Sequence, residues 1–153
     1  MLWFIQLLLA FFTVGNAPVL KANEQQPPAP SSAKSGGKLD GTSWQLVKFE
    51  GGDGKTLKPD DRSKYTITFN RNGRLTVRID CNRGSGTWKS TGKNKLKFGP
   101  LALTRAMCPP ESLHDRIAKD WEYVRSYVIK DGHLYLSLMA DAGIYEFEPL
   151  AGR

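Results

Sequence analysis

The sequence predicts a mainly β domain with one helix, a meander of short antiparallel strands closed into a small barrel or sandwich. Three observations predict it. Between Thr42 and Phe98 apolar residues recur at every second position in short runs, the period of a strand with one buried face. Arg71-Asn72-Gly73 and Asp131-Gly132 punctuate such runs, and Asn-Gly and Asp-Gly accept the positive φ angles of tight hairpin turns. Only one segment, after Pro109-Pro110, carries apolar residues at helical spacing.

Taken in order, the chain opens on an apolar run from Leu2 to Val14, interrupted only by Gln6 and Thr13. Its length suits the core of an export signal and falls short of the ~20 residues that span a bilayer, although no Lys or Arg precedes it. The expectation is a signal peptide over residues 1–22, cut after Ala22 or, at a second small-x-small site, after Ala17. Uncleaved, it would anchor the protein to a membrane. No cysteine lies near either site, so lipid modification there is excluded. Residues 23–38 hold Pro27, Pro28 and Pro30 among Gln, Ser, Ala, Lys and Gly, and so little apolar surface cannot offset the entropy of ordering. They read as a linker, before a domain over residues 39–150 and a tail of 151–153.

Thr42–Glu50 is the first strand, with Trp44, Leu46 and Phe49 apolar; Val47 breaks the alternation and marks a bulge or a stretch buried on both faces. Gly51–Thr56 turns the chain. Its Gly54-Lys55-Thr56 has the ending of a phosphate-binding loop, but that motif needs Gly where Phe49 stands and a helix where Lys58-Pro59 follows. Lys64–Asn70 places Tyr65, Ile67 and Phe69 on one face. Arg74–Asp80 places Leu75, Val77 and Ile79 inward and Arg74, Thr76 and Arg78 outward. After a corner at Cys81, Gly86–Ser90 carries Trp88 inward and Lys89 outward. Thr91–Asn94 turns, and Lys95–Phe98 carries Leu96 and Phe98 inward.

Pro109-Pro110 blocks a helix running through Cys108 and favours one starting after it, with Glu111 set to complement its N-terminal dipole. Leu113, Ile117, Trp121 and Val124 then form an apolar stripe that must pack on the sheet. Beyond the turn at Asp131-Gly132, His133–Leu138 and Gly143–Glu148 read as strands, and Ile144, Tyr145 and Phe147 suggest that the last one closes the sheet.

Cys81 and Cys108 are the only cysteines. In an exported chain they read as one disulfide; in a cytosolic one they would be buried thiols or half a metal site. Their spacing is not Cys-x-x-Cys, which lowers a redox or metal reading.

Cys81-Asn82-Arg83, then Ser85-Gly86, then Leu101-Ala102-x-Thr104-Arg105-x-Met107-Cys108, followed by a helix and a hairpin, resembles the META domain of HslJ-type heat-shock proteins over residues 39–149. The resemblance implies a small antiparallel β-barrel with one helix, distantly lipocalin-like. It also implies a bacterial envelope location, periplasmic or secreted, and induction under stress in some members. That family has no established catalytic residues, so none is carried over. Some members are lipoproteins, and this chain lacks the lipid-bearing cysteine.

Asn82, Arg83, Gly86, Thr104, Arg105 and Met107 are the motif members around the cysteines. The polar ones either form a binding rim near the bridge or, the expected case, Asn82 and Thr104 bond to backbone at the corner. His114 and His133 stand outside any metal or catalytic spacing and are expected in surface or packing roles. Ser85 is no nucleophile elbow, because Arg83 and Thr87 replace the required glycines. The interior is expected to be filled by aromatic side chains rather than to hold a ligand.

The formal net charge is +7, from 22 Lys and Arg against 15 Asp and Glu. From Arg62 to Lys97 there are ten Lys or Arg and one acid, Asp80. Alternation turns Arg74, Arg78, Lys89, Lys95 and Lys97 outward, a face that attracts anionic lipid, lipopolysaccharide or an acidic envelope protein. Export sets nucleic acid aside. The expected function is therefore a non-catalytic, stress-protective or binding role in the bacterial envelope. The domain is expected to act as a monomer, with no cofactor or metal. The alternative is a proteinaceous inhibitor of a periplasmic hydrolase, presenting loops from a disulfide-locked barrel.

Overall fold

The computed structural model describes residues 39–151. The signal peptide expected over residues 1–22, the linker expected over residues 23–38 and the last two residues of the tail lie outside the described residues. Ten strands and one helix follow one another: β1 (Thr42–Gly51), β2 (Thr56–Leu57), β3 (Tyr65–Phe69), β4 (Arg74–Ile79), β5 (Asn82–Gly92), β6 (Lys95–Phe98), β7 (Ala102–Leu103), α1 (His114–Asp120), β8 (Val124–Lys130), β9 (His133–Leu138) and β10 (Gly143–Pro149). Eight of the strands pair antiparallel in the order β10-β9-β8-β6-β5-β4-β3-β1, and β1 pairs again with β10, so the sheet closes on itself. The domain is a mainly β barrel with one short helix.

Period-two patterning does most of this. Tyr65, Ile67 and Phe69 on β3 and Leu75, Val77 and Ile79 on β4 are all buried, and they meet across the strand pair in register, Ile67 opposite Val77. Burying each such side chain contributes about 1.5–3 kcal/mol. The hairpin between them closes with Asn70 N–H donating to Arg74 O at 2.8 Å. Only Gly73 takes a positive φ, 72°, rather than both members of the Asn-Gly pair. At the β8–β9 turn both residues do, with Asp131 at 52° and Gly132 at 78°. The irregularity at Val47 is a bulge: the β1–β10 register slips between Leu46 and Lys48. Tyr145 on β10 is buried against Phe49 of β1, ring centroids 4.5 Å apart, so the last strand does close the barrel.

The helix departs from the sequence reading. Pro109 to Glu111 forms a turn, with Ser112 N–H bonded to Pro109 O, and α1 begins only at His114. Glu111 therefore precedes the helix, and Asp115 is the acid of its first turn. After Asp120 the chain tightens into a single turn over Trp121–Tyr123, and Val124 starts β8 instead of completing the apolar stripe. The reason is local: β-branched Val124, Val128 and Ile129 favour a strand once they find a partner in β9. The seam between β6 and β8 holds a single residue pair, Lys95 with Ser126. Trp121 fills the gap beside it, stacked on Phe98 at 4.3 Å with its indole N–H on Gly99 O at 3.1 Å. A cavity of about 40 Å³ remains inside, lined by Leu46, Ile67, Val77, Trp121 and Tyr145 among others. That is well below the roughly 150 Å³ of a cavity known to take a small apolar ligand.

Candidate functional site

Two further corrections bring the candidate residues together. β5 begins at Asn82, not Gly86, and Asp80 leaves β4 for a two-residue turn with Cys81, taking a φ of 55°. β7, unmarked in the sequence, pairs with the first half of β5, Gly84 opposite Leu103. Gly84 is required there, because a Cβ would lie 2.4 Å from Ala102 O.

At this corner Cys81 and Cys108 form a disulfide, Cα atoms 5.5 Å apart. Asn82, fully buried, holds the returning segment by both ends of its amide. Its Nδ2 donates to Ala106 O at 3.0 Å, and its Oδ1 accepts from Ala106 N at 2.7 Å and from the Thr104 hydroxyl at 2.8 Å. Arg83 N–H in turn donates to Thr104 Oγ1 at 3.0 Å. Asn82 and Thr104 thus bond mainly to backbone and to each other. Arg105 and Met107 point outward, and Met107 is 98% exposed. Gly86 lies inside, where a Cβ would meet Pro100 O at 3.0 Å.

The basic residues gather on the outer surface of β4, β5 and β6. Arg74, Lys89, Lys95 and Lys97 are exposed there; Arg78 is half-buried, its Nε donating to Asp80 O at 3.2 Å. Register brings a residue to this face that strand alternation from Gly86 could not include: Arg83 stands directly opposite Arg78, just as Lys89 stands opposite Lys97. The signal was in the sequence, since Arg83, Ser85, Thr87 and Lys89 alternate with Asn82, Gly84, Gly86 and Trp88. Trp88 is half-buried, edge-on to Phe69, with its N–H on Arg74 O at 3.1 Å. Among the described residues, no ion pair includes Arg74, Arg78, Arg83, Lys89, Lys95 or Lys97.

Several acids lie on the other side of the barrel and are partnered there. On the outer surface of β1, β9 and β10, Glu146 contacts Lys48 at 3.4 Å and His133 Nδ1 at 2.8 Å. Glu148 accepts from Arg62 at 3.0 Å and from Gln45 at 2.8 Å. The Arg62 bond, with help from Gln45, holds the Glu148 carboxyl below the usual range. Asp120, buried at the end of α1, accepts from the Tyr145 hydroxyl and from Arg116 Nε, both at 2.7 Å. Burial, then the adjacent carboxylate, pushes the Tyr145 hydroxyl far above its ordinary value, so it stays a donor. His114 Nδ1 sits 2.9 Å from Asp115 Oδ1. Among the described residues no group of three His, Cys, Asp or Glu comes together.

A family model described as META domain matches residues 37–148. A search of curated proteins returns no match. Among solved structures, the NMR structure of a protein from Burkholderia xenovorans is similar, with a TM-score of 0.65 at 20% identity over 83% of this chain and 100% of its own. The crystal structure of a DUF4847 family protein from Bacteroides vulgatus is similar with a TM-score of 0.54 at 17% identity, over 72% of this chain and 93% of its own. These likenesses are ones of fold.

Proposed function

The chain belongs to the META domain family, and from that premise we propose that it is a non-catalytic, exported domain of the bacterial envelope that docks on phosphate-bearing lipid surfaces through the outer face of β4, β5 and β6. One observation carries the reading. Arg78 faces Arg83 and Lys89 faces Lys97 across neighbouring strands, with no acid interposed. Like charges directly opposite cost about 0.2–1 kcal/mol per pair, so the arrangement works against the fold unless a counter-charge arrives from outside. Arg74 and Lys95 extend the same field along the strands. Guanidinium and ammonium groups bind phosphate oxygens well and, staying protonated, supply neither base nor nucleophile, which supports a binding role over catalysis.

Export is supported by the apolar run Leu2–Val14 and by the Cys81–Cys108 bridge, since disulfides persist in oxidising compartments. A stress-protective role, in this reading, follows from occupying a lipid surface.

Co-sedimentation of the full chain with anionic and with neutral phospholipid vesicles tests the proposal. Each basic residue near an anionic surface contributes about 1 kcal/mol, so reversing Arg74, Arg78 and Lys89 to Glu lowers the anionic-vesicle affinity at least ~100-fold while neutral vesicles are unaffected. Added salt weakens the wild type in the same direction. Equal anionic binding by wild type and triple variant sinks the reading.

A further inference from the structure

The segment Thr104–Cys108 lies off the basic face and continues the line of β7 beyond the end of β5. Thr104 N–H still bonds to Arg83 O at 2.9 Å, and two residues later Ala106 turns both its N–H and its C=O to Asn82. In an extended chain the backbone groups of alternate residues point to opposite sides. Those of Arg105 and Met107 therefore face away from β5, and among the described residues they bond to nothing. The side chains of Arg105, Ala106 and Met107 are exposed as well. Such a segment is rigid on one edge, held by a buried amide and a disulfide, and open on the other.

A preorganised segment with unbonded backbone groups along one edge is what an endopeptidase cleft accepts: the cleft pairs with alternate residues while a pocket takes one side chain. We propose that Thr104–Cys108 is a substrate-like inhibitory loop for trypsin-like serine endopeptidases, with Arg105 entering their acidic specificity pocket and the Arg105–Ala106 bond presented to the serine. In such a complex the serine oxygen bonds to the Arg105 carbonyl carbon and the Ala106 nitrogen leaves, taking the hydroxyl proton. Asn82 and the Cys81–Cys108 bridge keep that nitrogen in place. It returns to the carbonyl, the ester breaks, the serine regains its proton, and the peptide bond is restored. Rigidity in the bound form also spares the ordering cost of association.

The test uses the full chain against trypsin, with a small chromogenic substrate. The expected result is competitive inhibition that Arg105→Lys retains and Arg105→Ala weakens by about 100-fold or more, as loss of a central anchor does. Because Arg105 is exposed, circular dichroism of Arg105→Ala is expected to match the wild type, and its vesicle binding likewise, which separates this outcome from that of the basic face. The proposal is overturned by a wild-type chain that does not slow trypsin, by rapid hydrolysis of its Arg105–Ala106 bond, or by equal inhibition from Arg105→Ala.

Discussion

The two sides of the barrel treat charge in opposite ways. Across β1, β9 and β10, Glu50 and Glu146 share Lys48, Glu146 also takes His133, and Glu148 takes Arg62 and Gln45. Across β4, β5 and β6, Arg faces Arg and Lys faces Lys. Both sides rest on the same kind of interior, Leu46, Phe49 and Tyr145 under one and Leu75, Val77 and Phe98 under the other. Burial holds the strands on both sides, so the outer charges are left over for another task. On the paired side they add modestly to stability, and on the basic side they oppose it.

The largest effect expected is at the corner that terminates the basic side. Replacing Cys81 and Cys108 with Ser opens a bridge with a sequence separation of 27, and chain-entropy bookkeeping puts the loss at about 3.5 kcal/mol in denaturant unfolding. Hydrogen exchange then distinguishes the two sides: β5 and β7 are expected to lose protection while β1 and β10 keep theirs. Uniform loss would mean that the sides are not separable in stability.

A smaller effect comes from giving the basic side one of the pairings that the other side has. Lys97→Glu opposite Lys89 turns a repulsive cross-strand pair into an attractive one, and is expected to raise stability by about 0.5 kcal/mol while lowering affinity for anionic vesicles. Opposite signs in the two measurements would mark the face as one kept for binding. A fall in both would assign it a structural role.

An effect of similar size is pH-dependent and belongs to the paired side. Glu148 has a folded pKa depressed first by Arg62, so its contribution is present above the ordinary carboxylate value and lost as pH falls through the folded one. At the surface this amounts to about 0.5 kcal/mol, and Glu148→Gln is expected to remove it, flattening the acid limb of a stability profile. An unchanged profile would show that the Arg62 pair contributes nothing. Vesicle binding through β4, β5 and β6 is expected to hold its strength wherever the lipid phosphates stay ionised.

The inward residues of β3 and β4 were legible because period-two alternation is a property of a few consecutive residues. The Val47 bulge showed as a break in that period, and the closing strand as Tyr145 and Phe147. The candidate surface was half legible. Arg74, Arg78, Lys89, Lys95 and Lys97 could be placed outward one strand at a time; alternation would have added Arg83 had β5 been started at Asn82, but only register set it opposite Arg78. The paired side was not legible at all, since Gln45 and Glu148 are 103 positions apart and meet only because the barrel closes.

The sequence by itself determined which residues face inward, where the hairpins turn and that the two cysteines are the sole candidates for a bridge. Each depends on local sterics, side-chain polarity or simple count. Tertiary structure alone decided that Val124 ends a helical stripe and begins β8, that Asn82 grips Ala106 by both backbone groups, and which charges find partners. Those outcomes depend on strand register and barrel closure, where residues remote in the chain come within a few ångströms and local propensity is overruled by the neighbour that arrives.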